Sequence, residues 1–163
     1  MRRALASVLM CLTVGVSMAD NITLDIQQAG YRFDQYDDKG PTSSSSFIKE
    51  FRAFPWATQV GRANGGSEPT ISVKNHTTGI DLWVSAAEHE GGYVYLVGIV
   101  YPKQKHSLIG LGKPVPVRWV EIYVAEQAAM VEGTFKTYFG GSFNDTMSQL
   151  RALPKFAEME ARE

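Results

Sequence analysis

The stretch "GGYVYLVGIVYPK", residues 91–103, decides the fold because it is apolar on both sides of an extended chain. One side of this stretch carries Tyr93, Tyr95, Val97, Ile99 and Tyr101. The other side carries Val94, Leu96, Gly98 and Val100. Successive side chains of a strand point to opposite faces, so this pattern predicts a β-strand with apolar contacts on both faces. We therefore expect the segment to lie in the middle of a sheet.

The same period of two continues on either side of this strand. The segments that show it are "PTISVK" (69–74), "IDLWVSA" (80–86) and "VPVRWVEIYV" (115–124). Turn-like connections such as "NHTTG" (75–79) are short, and short connections favour antiparallel neighbours. The sequence thus predicts a four-stranded meander, to which "NITLDI" (21–26) adds a possible fifth strand.

Helical spacing appears before and after the meander. In "SSSFIKEFRAFPW" (44–56), Ser45 or Ser46 is a possible cap, and phenylalanines recur at i, i+4 and i+7 up to Pro55. Two further helices are predicted in 125–139 and 142–153, and "GG" (140–141) separates them. The fold class expected is α+β: a four- to five-stranded antiparallel meander with one short N-terminal helix and two C-terminal helices packed on it.

Residues 1–19 resemble a signal peptide. "MRR" provides a positive start, a thirteen-residue apolar run follows, and "SMA" places small side chains where a signal peptidase cleaves. Cleavage between Ala19 and Asp20 leaves 144 residues, a normal length for one domain. We expect residues 20–46 to form a strand and a flexible lead-in, packed against a single α+β domain in 47–163. No later segment reaches the length of a membrane span, so a soluble mature protein is expected.

Cysteine usage and charge limit the location and the partners. Cys11 is the only cysteine and lies in the signal, so the mature chain has no disulfide. Small domains secreted by animal cells usually depend on disulfides, so a cysteine-free exported chain favours the bacterial periplasm. After loss of Arg2 and Arg3 the chain has 14 basic and 17 acidic residues, a net charge of −3. That balance disfavours binding to nucleic acid or to anionic lipid.

Two assignments of the sheet faces are open at this stage. In the first, the helices cover the aliphatic side of residues 94–100. The other face is then half-exposed and meets a partner through Trp83, Tyr93, Tyr95, Trp119, Glu121 and Tyr123. In the second, the N-terminal segment and the helix that contains Phe47 cover these aromatics, because large aromatic side chains usually complete a core.

The side chains that carry chemistry form no recognisable catalytic set. His76, His89 and His106 fall in predicted turns without the spacing of a metal site, so no metal or cofactor is expected. Glu121, between Trp119 and Tyr123, is the one acid in a setting that resembles a sugar-binding site. A glutamate on a strand is more often solvated or paired, so we expect no catalytic residue and no enzyme.

A basic loop offers a second recognition element. Residues 103–113, "KQKHSLIGLGK", contain Lys103, Lys105, His106 and Lys113, but lack the spacing of a phosphate-binding loop. Such a loop is usually only mobile and solvated, although it could also dock into a carboxylate-rich cleft.

The function expected from the sequence is an exported, non-catalytic protein-binding domain. Its most natural role is that of a periplasmic immunity protein or inhibitor, which neutralises a toxin or a lytic enzyme that attacks the cell envelope. The alternatives are a cell-wall sugar hydrolase that uses Glu121 and a small-ligand carrier that uses the aromatic face.

Overall fold

The computed structural model describes residues 21–63, 66–105 and 113–161, which form one seven-stranded antiparallel sheet and four helices. The strands are β1 (Ile22–Gln27), β2 (Asp37–Pro41), β3 (Thr70–Asn75), β4 (Ile80–His89), β5 (Gly92–Lys105), β6 (Val115–Ala125) and β7 (Lys155–Glu160). The helices are α1 (Ser44–Ala53), α2 (Trp56–Val60), α3 (Ala128–Phe139) and α4 (Phe143–Arg151). The strand order across the sheet is β2-β1-β3-β4-β5-β6-β7.

The α+β class and the single antiparallel sheet are confirmed, and the predicted meander β3-β4-β5-β6 lies in the middle of that sheet. The predicted number of strands is wrong, because β2 and β7 add one strand at each edge. Both strands are rich in charge, with the sequences DDKGP and KFAEME. Charged edge strands oppose unwanted pairing with other chains, so they lack the apolar alternation that reveals a central strand.

The helix placement also differs from the prediction. A fourth helix, α2, follows Pro55 directly and has only five residues. α1 begins earlier than expected, because Ser43 is its cap and the Ser43 Oγ accepts a hydrogen bond from the Ser46 N–H at 3.3 Å. The expected start of α4 is correct, since the Ser142 Oγ accepts from the Asp145 N–H at 3.2 Å.

The strand register shows which face of the sheet forms the core. Leu82 pairs with Ile99 and Val97 with Tyr123, so the tyrosine side of β5 lies on one face with the aliphatic side of β4. The helices pack on this face. Their contacts include the Phe51 and Trp56 rings against Tyr95, at centroid distances of 5.4 and 5.5 Å, and Phe47 stacked on Phe135 at 3.8 Å.

The opposite face is the one that the helices leave uncovered. Trp83 pairs with Gly98 and Ser85 with Leu96, so the Trp83 side chain points away from the core. The assignment in which helices cover the side of Val94 and Leu96 is therefore wrong, and the helices cover the tyrosines instead. Among the helices of the described ranges, none is long and apolar enough to cross a membrane.

Candidate functional site

The uncovered face of the sheet forms a wide groove with a volume of about 1310 Å³, which we call the open groove. Its floor is supplied by β4, β5 and β6 and consists of Ala87, Val94, Leu96, Val100, Ile122 and Val124. These side chains remain partly exposed to solvent. Contiguous apolar surface of this kind usually marks a binding site, because exposed apolar area is otherwise costly in water.

Trp83 lies at the centre of this floor, against the backbone of Gly98. A Cβ atom at position 98 would overlap the indole carbons of Trp83 and would lie only 2.7 Å from its Nε1. Glycine is therefore required here for the close approach of the indole to the sheet. The indole lines the open groove, where a flat aromatic surface can pack against a partner.

Exposed aromatic residues stand on both sides of the open groove. Phe33 and Tyr36, in the segment that precedes β2, are 95% and 50% exposed. Phe156, on β7 at the opposite edge of the sheet, is 63% exposed. Large aromatic side chains dominate binding energy when a partner buries them, so these positions are natural anchors.

One end of the open groove carries two ion pairs. Lys74 lies 2.5 Å from Asp25, and Arg118 lies 2.7 Å from Asp81. Burial raises the pKa of the Asp81 carboxyl, and the nearby Arg118 only partly offsets that effect. Because each carboxylate has a cationic neighbour, the charge at this end is balanced locally.

The opposite end of the open groove is acidic. It is formed where β3 begins, β4 ends and β6 ends, and its carboxylates belong to Glu68, Glu90 and Glu126. Among the described residues that line the groove, the basic side chain at this end is His89, whose ring lies 4.0 Å from Glu90. We call these three glutamates the acidic end. Their charge favours a cationic partner.

Glu121 lies on the other face of the sheet, at the bottom of a smaller cleft of about 470 Å³ that Arg151 and Lys155 also line. The residue is only 4% exposed. The hydroxyls of Tyr101 and Tyr123 donate hydrogen bonds to its two carboxylate oxygens, at 2.6 and 2.5 Å, and the Lys155 ammonium lies at 3.0 Å. Burial alone would raise the pKa of Glu121, but these three donors outweigh it and lower the pKa to about 2. The carboxylate is thus ionised, and both of its oxygens have hydrogen-bond donors.

The predicted aromatic site does not form a single exposed surface. Tyr95 and Tyr123 are 7% and 2% exposed and belong to the core, and Tyr93 is half-buried beside Tyr95. Trp119 is half-buried, and the Lys103 ammonium lies 3.9 Å from the centroid of its ring. These residues were placed on a wet face together with Trp83, but that placement is wrong because the register puts Trp83 on the opposite side of the sheet.

The predicted basic residues are also dispersed. Lys105 forms an ion pair with Glu160 at 2.5 Å, and Lys113 is exposed before β6. His106 lies outside the described residues, as do Ala19 and Asp20 at the predicted cleavage site. Of the predicted site residues that fall within the described ranges, Trp83 is the one that lines the open groove.

Sequence reasoning missed most of the open groove. The signal that could have located it is the second apolar face of β5 and β6, which carries Val94 and Leu96 in β5 and Ile122 and Val124 in β6. The exposed aromatics Phe33 and Phe156 had no such signal, because each lies in a polar or charged segment.

Within the described ranges, no group of three or more His, Cys, Asp or Glu side chains is arranged to hold a metal ion. Comparisons with protein-family models, with curated proteins and with solved structures found no match for this chain.

Proposed function

We propose that this protein is an exported, non-catalytic binding protein that holds a partner protein in the open groove. Its role is that of an immunity protein or inhibitor, which neutralises a toxin or a lytic enzyme that attacks the cell envelope. The observation that carries the proposal is the wide apolar floor around Trp83, flanked by the exposed Phe33 and Phe156.

The dimensions of the open groove favour a macromolecular partner. Pockets for small molecules usually have volumes of about 300–1,000 Å³ and enclose most of the ligand. The open groove is larger, at about 1310 Å³, and extends from β1 to β7. Five strand intervals of about 4.8 Å give it a width of roughly 24 Å. A protein surface can cover such an area and bury the three aromatic anchors together.

The step from a binding protein to an inhibitor rests on the location and on the simplicity of the task. The predicted signal in residues 1–19 directs the chain to the envelope, where toxins and lytic enzymes act. Inhibition requires only that a binding surface block another protein's active or docking surface. This part of the proposal therefore rests on what small exported domains commonly do, and the partner must be identified by experiment.

The hydrolase alternative gains no support from the geometry. A glycosidase needs a general acid with a raised pKa and a second, ionised carboxylate that is free to act as base or nucleophile. Glu121 has a pKa lowered to about 2, which does not suit the acid, and its oxygens are occupied by Tyr101, Tyr123 and Lys155, which does not suit the base or nucleophile. The small-ligand carrier remains the second candidate function, because the apolar floor could also hold the tail of an amphiphile.

The proposal is tested by site-specific photo-crosslinking in the native host. A photoreactive amino acid replaces Leu96 in the groove floor, and a matched control carries it at Lys49, an exposed position on α1. We expect the Leu96 variant to crosslink to one envelope protein or secreted toxin, and the Lys49 variant not to. The purified pair is then tested for loss of the partner's toxic or lytic activity on binding.

Phe33→Ala provides a quantitative check that is free of stability effects, because Phe33 is 95% exposed. A true anchor at this position should weaken binding about 30-fold or more. A partner that crosslinks to the Lys49 variant and not to the Leu96 variant would refute the assignment of the binding surface. A small molecule retained in the native mass spectrum of the periplasmic protein, without a protein partner, would favour the carrier.

A further inference from the structure

We infer that the part of the partner that occupies the open groove is a cationic amphipathic α-helix. This inference rests on the proposed function, in which the groove binds a partner protein. Three observations support it: the dimensions of the apolar floor, the fact that this floor is a sheet face rather than a sheet edge, and the uneven charge along the groove.

The apolar floor has the size of a short helix. From β4 to β6 there are two strand intervals, a width of roughly 10 Å, which matches the diameter of about 10–12 Å of a helix with its side chains. Along β5, the six steps from Val94 to Val100 span roughly 20 Å, the length of about 13 helical residues. A helix on this floor would form a third layer, equivalent to the helices that already cover the other face.

The chemistry of a sheet face also selects a helix over an extended peptide. The backbone groups of β5 are already paired with β4 and β6, so the floor offers no free strand edge for an added strand. An extended segment lying across Leu96 and Ile122 would bury its own N–H and C=O groups against apolar side chains. A helix satisfies these groups internally and presents only an apolar stripe.

The charge along the groove selects a cationic helix and gives it a direction. The acidic end carries Glu68, Glu90 and Glu126, whereas the ion pairs of Asp25 and Asp81 balance the charge at the other end. Lysines or arginines on the partner would meet the acidic end. The helix N-terminus also carries a partial positive charge, so we expect it to lie at this end.

Two synthetic peptides test the inference on the mature chain. One is an 18-residue amphipathic helix with leucine on one face and lysine on the other, and the second replaces each lysine by glutamate. Backbone amide shifts of the isotope-labelled protein show where each peptide binds. We expect the Leu/Lys peptide to shift the amides of Leu96, Gly98 and Ile122, and to bind at least about tenfold more weakly when NaCl is raised from 50 to 500 mM.

A charge-reversal variant locates the electrostatic contact. Glu68→Lys combined with Glu126→Lys, at two exposed positions of the acidic end, should weaken binding of the Leu/Lys peptide about tenfold or more. The matched control is Asp38→Lys with Asp145→Lys, which changes the net charge equally at exposed positions that do not line the groove. The control variant should weaken binding of the Leu/Lys peptide less than about threefold, because it changes only the net charge of the protein.

Each other outcome overturns the inference in a distinguishable way. Equal binding of the Leu/Glu peptide, or equal losses in the test and control variants, would show that the acidic end does not select the partner. Absence of amide shifts with both peptides, together with a specific crosslink at Leu96, would show that the partner presents a different surface; the proposed function would then stand. Saturation of the groove by dodecyltrimethylammonium, but not by the peptide, would identify a small cationic amphiphile as the occupant.

Discussion

Gly98→Ala should destabilise the protein, and the whole loss should depend on Trp83. A methyl group at position 98 would occupy the space of the indole, so the ring must move off the sheet into the open groove. The core on the other face of β5 would not be affected, because the side chain of residue 98 does not point to that face. The double mutant cycle of Gly98→Ala and Trp83→Ala therefore isolates this one contact.

The expected magnitude follows from the area of the contact. A buried aromatic side chain removes about 150–250 Å² from water, and the half-buried Trp83 has one ring face against the backbone, so displacement exposes roughly 80 Å². At about 25 cal/mol per Å², this loss is roughly 2 kcal/mol. Alanine loses less conformational entropy on folding than glycine, which stabilises the folded state by about 0.5–1 kcal/mol. We expect Gly98→Ala to lower the free energy of unfolding by about 1–1.5 kcal/mol in the native background, and to raise it by about 0.5–1 kcal/mol when Trp83 is alanine.

Urea unfolding followed by far-ultraviolet circular dichroism measures all four free energies without relying on tryptophan fluorescence. Gly92→Ala is the matched control, because a Cβ atom there would meet only the His89 carbonyl oxygen at an ordinary 3.8 Å. The change in the free energy of unfolding caused by Gly92→Ala should be the same whether residue 83 is tryptophan or alanine. A coupling energy below about 0.5 kcal/mol between positions 83 and 98 would refute the close packing of the indole on the sheet.

Three further outcomes are expected from the structure and a fourth from the sequence. Glu121→Gln should destabilise the fold by about 1–3 kcal/mol in urea unfolding, because the buried phenol of Tyr123 and the half-buried phenol of Tyr101 lose a charged acceptor. Folding lowers the pKa of Glu121 from 4.5 to about 2, so the ionised carboxylate stabilises the fold fully above about pH 4.5 and loses this effect as the pH falls through 2. In Glu121→Gln, the free energy of unfolding should therefore fall less steeply as the pH is lowered over this range. Phe47→Ala, at a residue that is 0% exposed, should cost about 3–5 kcal/mol, whereas Phe33→Ala should leave the thermal midpoint unchanged. N-terminal sequencing of the periplasmic protein should begin at Asp20, and recovery of intact chains in the cytoplasm would contradict the predicted export.

Much of the fold was accessible from the sequence because local patterns encode it. The alternation in residues 70–125 defined four neighbouring antiparallel strands. Phenylalanines at helical spacing and a terminal glycine pair located α1 and the end of α3, where Gly140 is the cap and Gly141 has a φ of +82°. The edge strands β2 and β7 were missed because charged residues dominate them.

The candidate site was less accessible, since it depends on contacts between distant segments. Glu121 was noted correctly as an acid among aromatic residues, but its burial depends on Lys155, 34 positions further along the chain. The acidic end is assembled from the start of β3, the end of β4 and the end of β6. No single segment carries enough of it to be recognised.

The sequence by itself determined that β5 is a central strand with two apolar faces, and tertiary structure alone decided which face the helices cover. A shift of one residue in strand pairing exchanges the two faces, and the alternation of residues 93–101 is equally compatible with either result. The pairing of Leu82 with Ile99, and the packing of Phe51 against Tyr95, settle the choice. The aromatic side therefore became the core, and the aliphatic side around Trp83 was left as the open groove.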